Sequence, residues 1–367
     1  MAHRRLRLSL KLVVFALVIY LVGGIVISGG RKAIREIRHV DPLLLALGLV
    51  LEMAALFSYS LLTRAALEKA SAEVSKWRMF RIQMSSKSLS SIVPGGSAAG
   101  SALAYRLMTL SGVPGPDAGF ALASAGLGSA VVLNLIFWLA LIVSIPIRGV
   151  NPAYASGAIA GVVAMAFAAM LVFGLLEGSG RAERFVRAIA RRIHLDQDRA
   201  SDALRRIGRR LTALAADRAL LARVVGWASA NWLLDAAALW VLLRAFGASV
   251  DVDALLVSFG LVNVLAVVPL TPGGVGVIEV AMTTTLVGFG LARSTATLGV
   301  AMWRLAQYFF PILLGAILYA SLRVGPWSIK RRAELIRLRE LADETKFDHE
   351  NPLDFAERVA DKRTRDV

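Results

Sequence analysis

Residues 268–279 read VPLTPGGVGVIE, and this stretch limits the fold more than any other. It lies between apolar runs, yet Pro269, Pro272, Gly273, Gly274 and Gly276 stop a helix from running through it. Proline lacks the N–H and clashes with the preceding turn, and glycine gains freedom when unwound. In hydrocarbon a freed backbone group has no water to bond. Broken backbone there is tolerated only inside protein or beside a wet cavity. Glu279 follows at once, and Arg304 stands in the next apolar run. The pattern predicts a broken, re-entrant helix pair lining a polar site.

The surrounding runs read as membrane spans. The chain is 57% apolar with mean hydropathy +0.63, unlike a soluble domain of this size. Spans are expected at 12–27, 43–62, 118–145, 154–176, 220–243 and 294–322, six in all. The first is read as a retained span, because no small-x-small cleavage site stands out beside it. Residues 64–87 are polar and basic with Trp77 and Phe80 among the charges, which suggests a segment at the membrane interface. Segments 88–110 and 254–290 are apolar but interrupted, the first by Pro94, Gly95 and Gly96. The expected class is therefore an all-α polytopic membrane protein, with about six full transmembrane helices and two re-entrant broken-helix segments.

Several chemistries are set aside by residue content. There is no cysteine, so disulfides and thiol chemistry are excluded. The four histidines are far apart and lie outside the apolar runs, and no P-loop motif occurs. No cofactor, metal or catalytic set is expected, and the chain is not read as an enzyme. The net charge of +16 would suggest nucleic acid in a soluble protein. Here the cations sit in loops beside apolar runs, which fits anionic lipid headgroups instead.

Superimposing Pro94-Gly95-Gly96 on Pro272-Gly273-Gly274 requires an offset of 178. The same offset carries span 43–62 onto 221–240 and the run from Ala118 onto that from Ala296, which points to an internal repeat. With the N-terminus in the cytoplasm, 33 of the 42 Lys and Arg fall in cytoplasmic segments and 6 in outer ones. That bias sets both termini in the cytoplasm. It also inverts the two halves, about 10–145 and 152–322, so that their broken segments enter from opposite sides. Inverted repeats with broken helices at the midplane are a known transporter plan. The transmembrane part is read as 1–322, with an amphipathic cytoplasmic loop at 178–218, and 323–367 as a basic cytoplasmic tail.

The candidate site is Glu279 and Arg304 with the turn residues Pro272, Gly273, Gly274 and Gly276. Charges at membrane depth are costly and usually find a partner. The two can be read as a structural ion pair. Alternatively Arg304 contacts an anionic headgroup while Glu279 gates or carries a proton. A half-helix after each glycine pair would offer free N–H groups and the positive end of its dipole. Pro94, Gly95, Gly96 and Arg106 form the corresponding first site, with Arg106 also readable as a cytoplasmic edge residue. Glu52 and Asp235 are secondary candidates, as helix-to-helix bonds or cavity lining. Asn134, Asn231, Gln307 and Tyr308 read more readily as interhelical bonding groups than as ligands.

At these residues a resemblance appears. PGGVGVIEVAMTTTLVGFGL, followed by MWRLAQYFFPILLGAIL, is similar to the lysylphosphatidylglycerol synthase transmembrane family, also called flippase-like integral membrane proteins. Pro272, Gly273, Gly274, Gly276, Glu279 and Arg304 match its pattern over a resemblance covering roughly 10–322. IVPGGSAAGSALAYRLM resembles its first segment, but Ser97, Ala98, Ala99 and Ser101 stand where members often carry an acid. The family includes the flippase half of the bacterial multiple peptide resistance factor, which moves aminoacylated phosphatidylglycerol to the outer leaflet. The resemblance implies a flippase without a synthase domain, for an aminoacyl-phospholipid, a glycolipid or a polyprenyl-phosphate lipid in the cytoplasmic membrane. Other readings are a small-solute or ion-coupled transporter, or a scaffold for a lipid-modifying or glycosyltransferase partner enzyme. The oligomeric state is not legible.

Overall fold

The structure, a computed structural model, describes residues 41–93, 96–148, 216–266, 272–324 and 328–329. The expected spans 12–27 and 154–176, the basic loop as far as 215, most of the tail, and Pro94 and Gly95 lie outside the described residues. Among the described residues every regular element is helical.

Helix α1 is Pro42–Ala65. Asp41 starts it by accepting the Leu43 N–H at 2.9 Å, and proline suits a first turn, where its N–H is not needed. A short 3-10 turn, Glu68–Glu73, leads to α2, Lys76–Ile92. Ser75 caps α2 through the Arg78 N–H. Then come α3, Gly96–Thr109, and α4, Gly115–Arg148. Helix α5, Arg218–Ala245, begins where the Asp217 carboxylate accepts the N–H groups of Ala219 and Leu220. Helix α6 is Val252–Leu265, and a 3-10 turn at Pro272–Gly274 precedes α7, Val277–Gly288. Helix α8, Arg293–Arg304, passes through a π-turn, Leu305–Phe309, into α9, Phe310–Arg323.

Four stretches are long and apolar enough to cross a membrane: Pro42–Ala65, Gly115–Ile147, Arg218–Ala245 and Arg293–Arg323. They coincide with four of the six expected spans. Adding 178 to the bounds of α1 to α4 gives 220–243, 254–270, 274–287 and 293–326. The observed helices there run 218–245, 252–265, 277–288 and 293–323. The order long, short, short, long thus recurs at the spacing read from the two glycine pairs.

One difference is informative. The polar stretch before Lys87, which the sequence did not mark as a helix, is mostly α2. Met79, Ile82 and Met84 of α2 are fully buried. Two of its serines bond within the helix: Ser85 donates to the Arg81 carbonyl at 2.7 Å and Ser86 to that of Ile82 at 2.9 Å. A helix rich in serine can be buried this way without apolar periodicity.

The chain divides into two compact units, each assembled from separated stretches. Among the described residues the first takes 41–58, 129–148, 228–266 and 272–308. Its core centres on Phe137, Leu239, Leu243, Phe259 and Trp303. Phe259 stands edge-on to both Trp232 and Trp303 at 6.1 Å, a favoured aromatic geometry. Among the described residues the second unit takes 59–93, 96–128, 216–227, 309–324 and 328–329. Its core includes Leu67, Val74, Met79, Ile82, Leu107, Met108 and Leu322. There Arg64 holds the 3-10 turn by donating to the carbonyls of Val74 and Ser71 at 2.8 and 3.0 Å. Helix α9 lies close against α2: Ser88 donates to the Ile312 carbonyl at 2.8 Å, and a Cβ on Gly315 would collide with the Met84 carbonyl oxygen.

Candidate functional site

The second broken stretch supplies the framework. At Pro272–Gly274 the chain makes one 3-10 turn, with Gly273 at φ +63° and Gly276 at φ +86°. Residues with a Cβ rarely adopt such angles. At Gly273 there is a second reason, since a Cβ would collide with the Tyr308 ring. The turn ends at Gly276, which opens α7.

Glu279 is the third residue of α7. Its Oε2 accepts the Gly276 N–H at 2.7 Å, tying the side chain back across the first turn. This is the acidic half of a capping box, and glycine has no side chain to complete it. The carboxylate also sits at the positive end of the helix dipole. Its other oxygen, Oε1, accepts from Arg304 Nε at 2.7 Å.

Arg304 is the last residue of α8 and is 2% exposed. Its three nitrogens go to three acceptors. Nε reaches Glu279, Nη1 reaches Gln307 Oε1 at 2.9 Å, and Nη2 reaches the Gly273 carbonyl at 3.0 Å. The guanidinium lies 4.6 Å from the centre of the Tyr308 ring, within cation–π range. Gln307 and Tyr308 belong to the π-turn that follows. Pro311 accounts for that irregularity: it has no N–H to give the carbonyl four residues back and its ring crowds that turn. π-Turns inside helices often mark functional positions.

The pair is asymmetric. The Glu279 side chain is 27% exposed and that of Arg304 is 3% exposed. An incoming group would meet the carboxylate first and the guanidinium behind it.

The structure thus brings Gly273, Gly276, Glu279, Arg304, Gln307 and Tyr308 together. Gln307 bonds one turn back on its own helix, not across to a neighbour, and Asn134 likewise donates to Ala130 of its own helix. Asp235 is buried and accepts from Trp303 Nε1 at 2.7 Å, so it holds the residue next to Arg304. That supporting role of Trp303 gave no signal in the sequence, and neither did the Gly273 carbonyl as an acceptor. Glu52 is buried in the middle of α1, in the same unit. Gly96 and Arg106 belong to the second unit, where Gly96 is buried and Arg106 is exposed in the last turn of α3. Among the described residues no three His, Asp or Glu side chains gather where they could hold a metal ion.

The profile of the lysylphosphatidylglycerol synthase TM region matches residues 8–315. The chain belongs to that family. As a lysylphosphatidylglycerol synthase TM-region protein it is a multi-pass membrane protein, and the match takes in the whole candidate site. Two relatives are similar over shorter stretches. A UPF0104 membrane protein of Methanothermobacter thermautotrophicus is 28% identical over 109 residues, 30% of this chain and 32% of that protein. The inner membrane protein YbhN of Escherichia coli is 28% identical over 106 residues, 29% of this chain and 32% of that protein. The aligned stretches thus span about a third of each relative's length.

Proposed function

We propose that this protein moves an anionic or modified lipid between the leaflets of the cytoplasmic membrane. The observation that carries this reading is the ion pair between Glu279, just after the broken stretch, and Arg304 at the end of α8. A buried cation in such a chain is expensive, roughly 2.5–3.5 kcal/mol for an arginine at mid-bilayer on insertion scales. Glu279 offsets that cost in the resting state. A headgroup phosphate or carboxylate would take its place on Arg304 and on the Gly276 N–H, while Glu279 turns to water or binds a proton. Charges about 4 Å apart at an effective dielectric near 20 interact by about 4 kcal/mol. An incoming anion replaces that interaction and a neutral headgroup does not, so the site selects for negative charge. The acyl chains stay in the bilayer, and no large aqueous pore is required.

The recurrence of four helices at an offset of 178 supports two re-entrant segments in inverted halves. The loop charges support cytoplasmic termini. The test is a leaflet assay in proteoliposomes with labelled anionic lipids. Wild type should transfer lipid, and Glu279→Gln and Arg304→Ala should each slow transfer at least tenfold while remaining folded. No transfer by folded wild type would overturn the reading and favour a scaffold or a small-solute carrier, with the pair as a structural tie.

A further inference from the structure

Four charged side chains among the described residues are buried: Glu52, Arg81, Asp235 and Arg304. Arg304 is matched by a carboxylate, an amide oxygen and a carbonyl. Arg81, in α2, is 6% exposed and has a much poorer set of partners. Its Nε and Nη2 both reach one neutral atom, Ser321 Oγ in α9, at 3.1 and 2.7 Å. Ser321 spends its own proton on the Leu318 carbonyl at 2.6 Å. No acidic side chain among the described residues pairs with Arg81. Among the described residues only Nε and Nη2 have a protein acceptor, and the Nη1 edge of the fork is open to an incoming group.

A buried cation needs compensation. The C-terminal end of α9 lies beside Arg81 and supplies some, but a helix end carries only about half an elementary charge. We infer that Arg81 and Ser321 form an anion subsite in the second unit, whose ligand is a phosphate group. The guanidinium fork matches two phosphate oxygens at once, and the Ser321 hydroxyl fixes one edge of that fork. A phosphate can come from two sources, a lipid headgroup or free phosphate. The surroundings favour the headgroup. Trp77, one turn before Arg81, is 59% exposed and stacks on Phe80 at 5.3 Å. An exposed tryptophan marks headgroup depth. Lys76 and Arg323 are exposed at the same helix ends, at the start of α2 and the finish of α9. This subsite is in a different unit from Glu279 and Arg304 and does not depend on lipid transfer.

The experiment uses the full-length protein purified in neutral detergent. Phosphatidylglycerol, phosphatidylcholine or inorganic phosphate is added in separate arms. Lipid retained per chain is counted by native mass spectrometry, and thermal unfolding is followed in parallel. Wild type should retain phosphatidylglycerol over phosphatidylcholine and unfold at a higher temperature with it. Arg81→Gln should lower that retention at least fivefold, Arg81→Lys should lower it less, and Arg304→Ala should keep the Arg81-dependent lipid. Stabilisation by inorganic phosphate alone, lost in Arg81→Gln, supports the subsite and assigns it to a free anion. If Arg81→Gln does not fold, Ser321→Ala and the wild-type titrations decide. No effect of either anion on wild type overturns the inference, as does equal retention by folded Arg81→Gln.

Discussion

Gly273 joins backbone geometry to the charge pair. Its carbonyl accepts from Arg304, its φ is positive, and the Tyr308 ring covers the place a Cβ would take. Gly273→Ala therefore meets two obstacles. The left-handed conformation alone costs about 1–2 kcal/mol with a Cβ present, and the ring must also move. The expected result is a loss of stability of at least that size in a denaturant titration. Lipid transfer should fall too, because the displaced ring and carbonyl are both contacts of Arg304. Unchanged stability would mean that the turn relaxes freely. The importance of this position was legible in the sequence, since proline, glycine and charge stand out in apolar surroundings. The acceptors were not legible. Which oxygen an arginine reaches depends on how the chain folds back, and nothing in the residue types near 273 or 303 announces it.

Among the elements, α2 shows where sequence reading fails and why. Its residues KWRMFRIQMSSKSLSSI have no helical stripe of apolar side chains, and Lys76, Arg78 and Arg81 make it look like a loop. It is buried because Ser85 and Ser86 bond carbonyls of their own helix and because α9 comes close at Gly315. Arg81 carries no signal of its own in the sequence for the same reason, as one cation among several in a polar, basic stretch. Gly315→Ala tests the close approach. The new methyl would meet the Met84 carbonyl, a backbone atom that cannot swing aside. Overpacking of this kind costs about 1–3 kcal/mol. Thermal unfolding of the purified protein should show the loss, and Ala316→Gly, one residue along α9, should cost only about 1 kcal/mol of helix propensity.

For the whole molecule, the four long helices were legible because length and hydropathy together leave little choice, and their ends moved by only a few residues. Of the short helices between them, α6 and α7 and the later part of the first pair fall in the interrupted apolar segments, whereas most of α2 does not. Sidedness rests on loop charge, and the absence of native cysteine makes it simple to check. In the proposed orientation Ser111 faces the cytoplasm and Ser249 faces outward. Single Ser111→Cys and Ser249→Cys variants should react with an impermeant thiol reagent from opposite sides of sealed vesicles. Labelling from the same side would remove the inverted arrangement. The carboxylate of Glu279 and the guanidinium of Arg304 also differ in a way that bears on descent. One is held by an N–H at the start of a helix, and the other by a carbonyl and an amide oxygen. Exchanging the two residues would keep the net charge and still set a cation against a donor and an acid against two acceptors. The pair therefore has a direction, and a lineage cannot pass through the reversed order without rebuilding the turn beneath it.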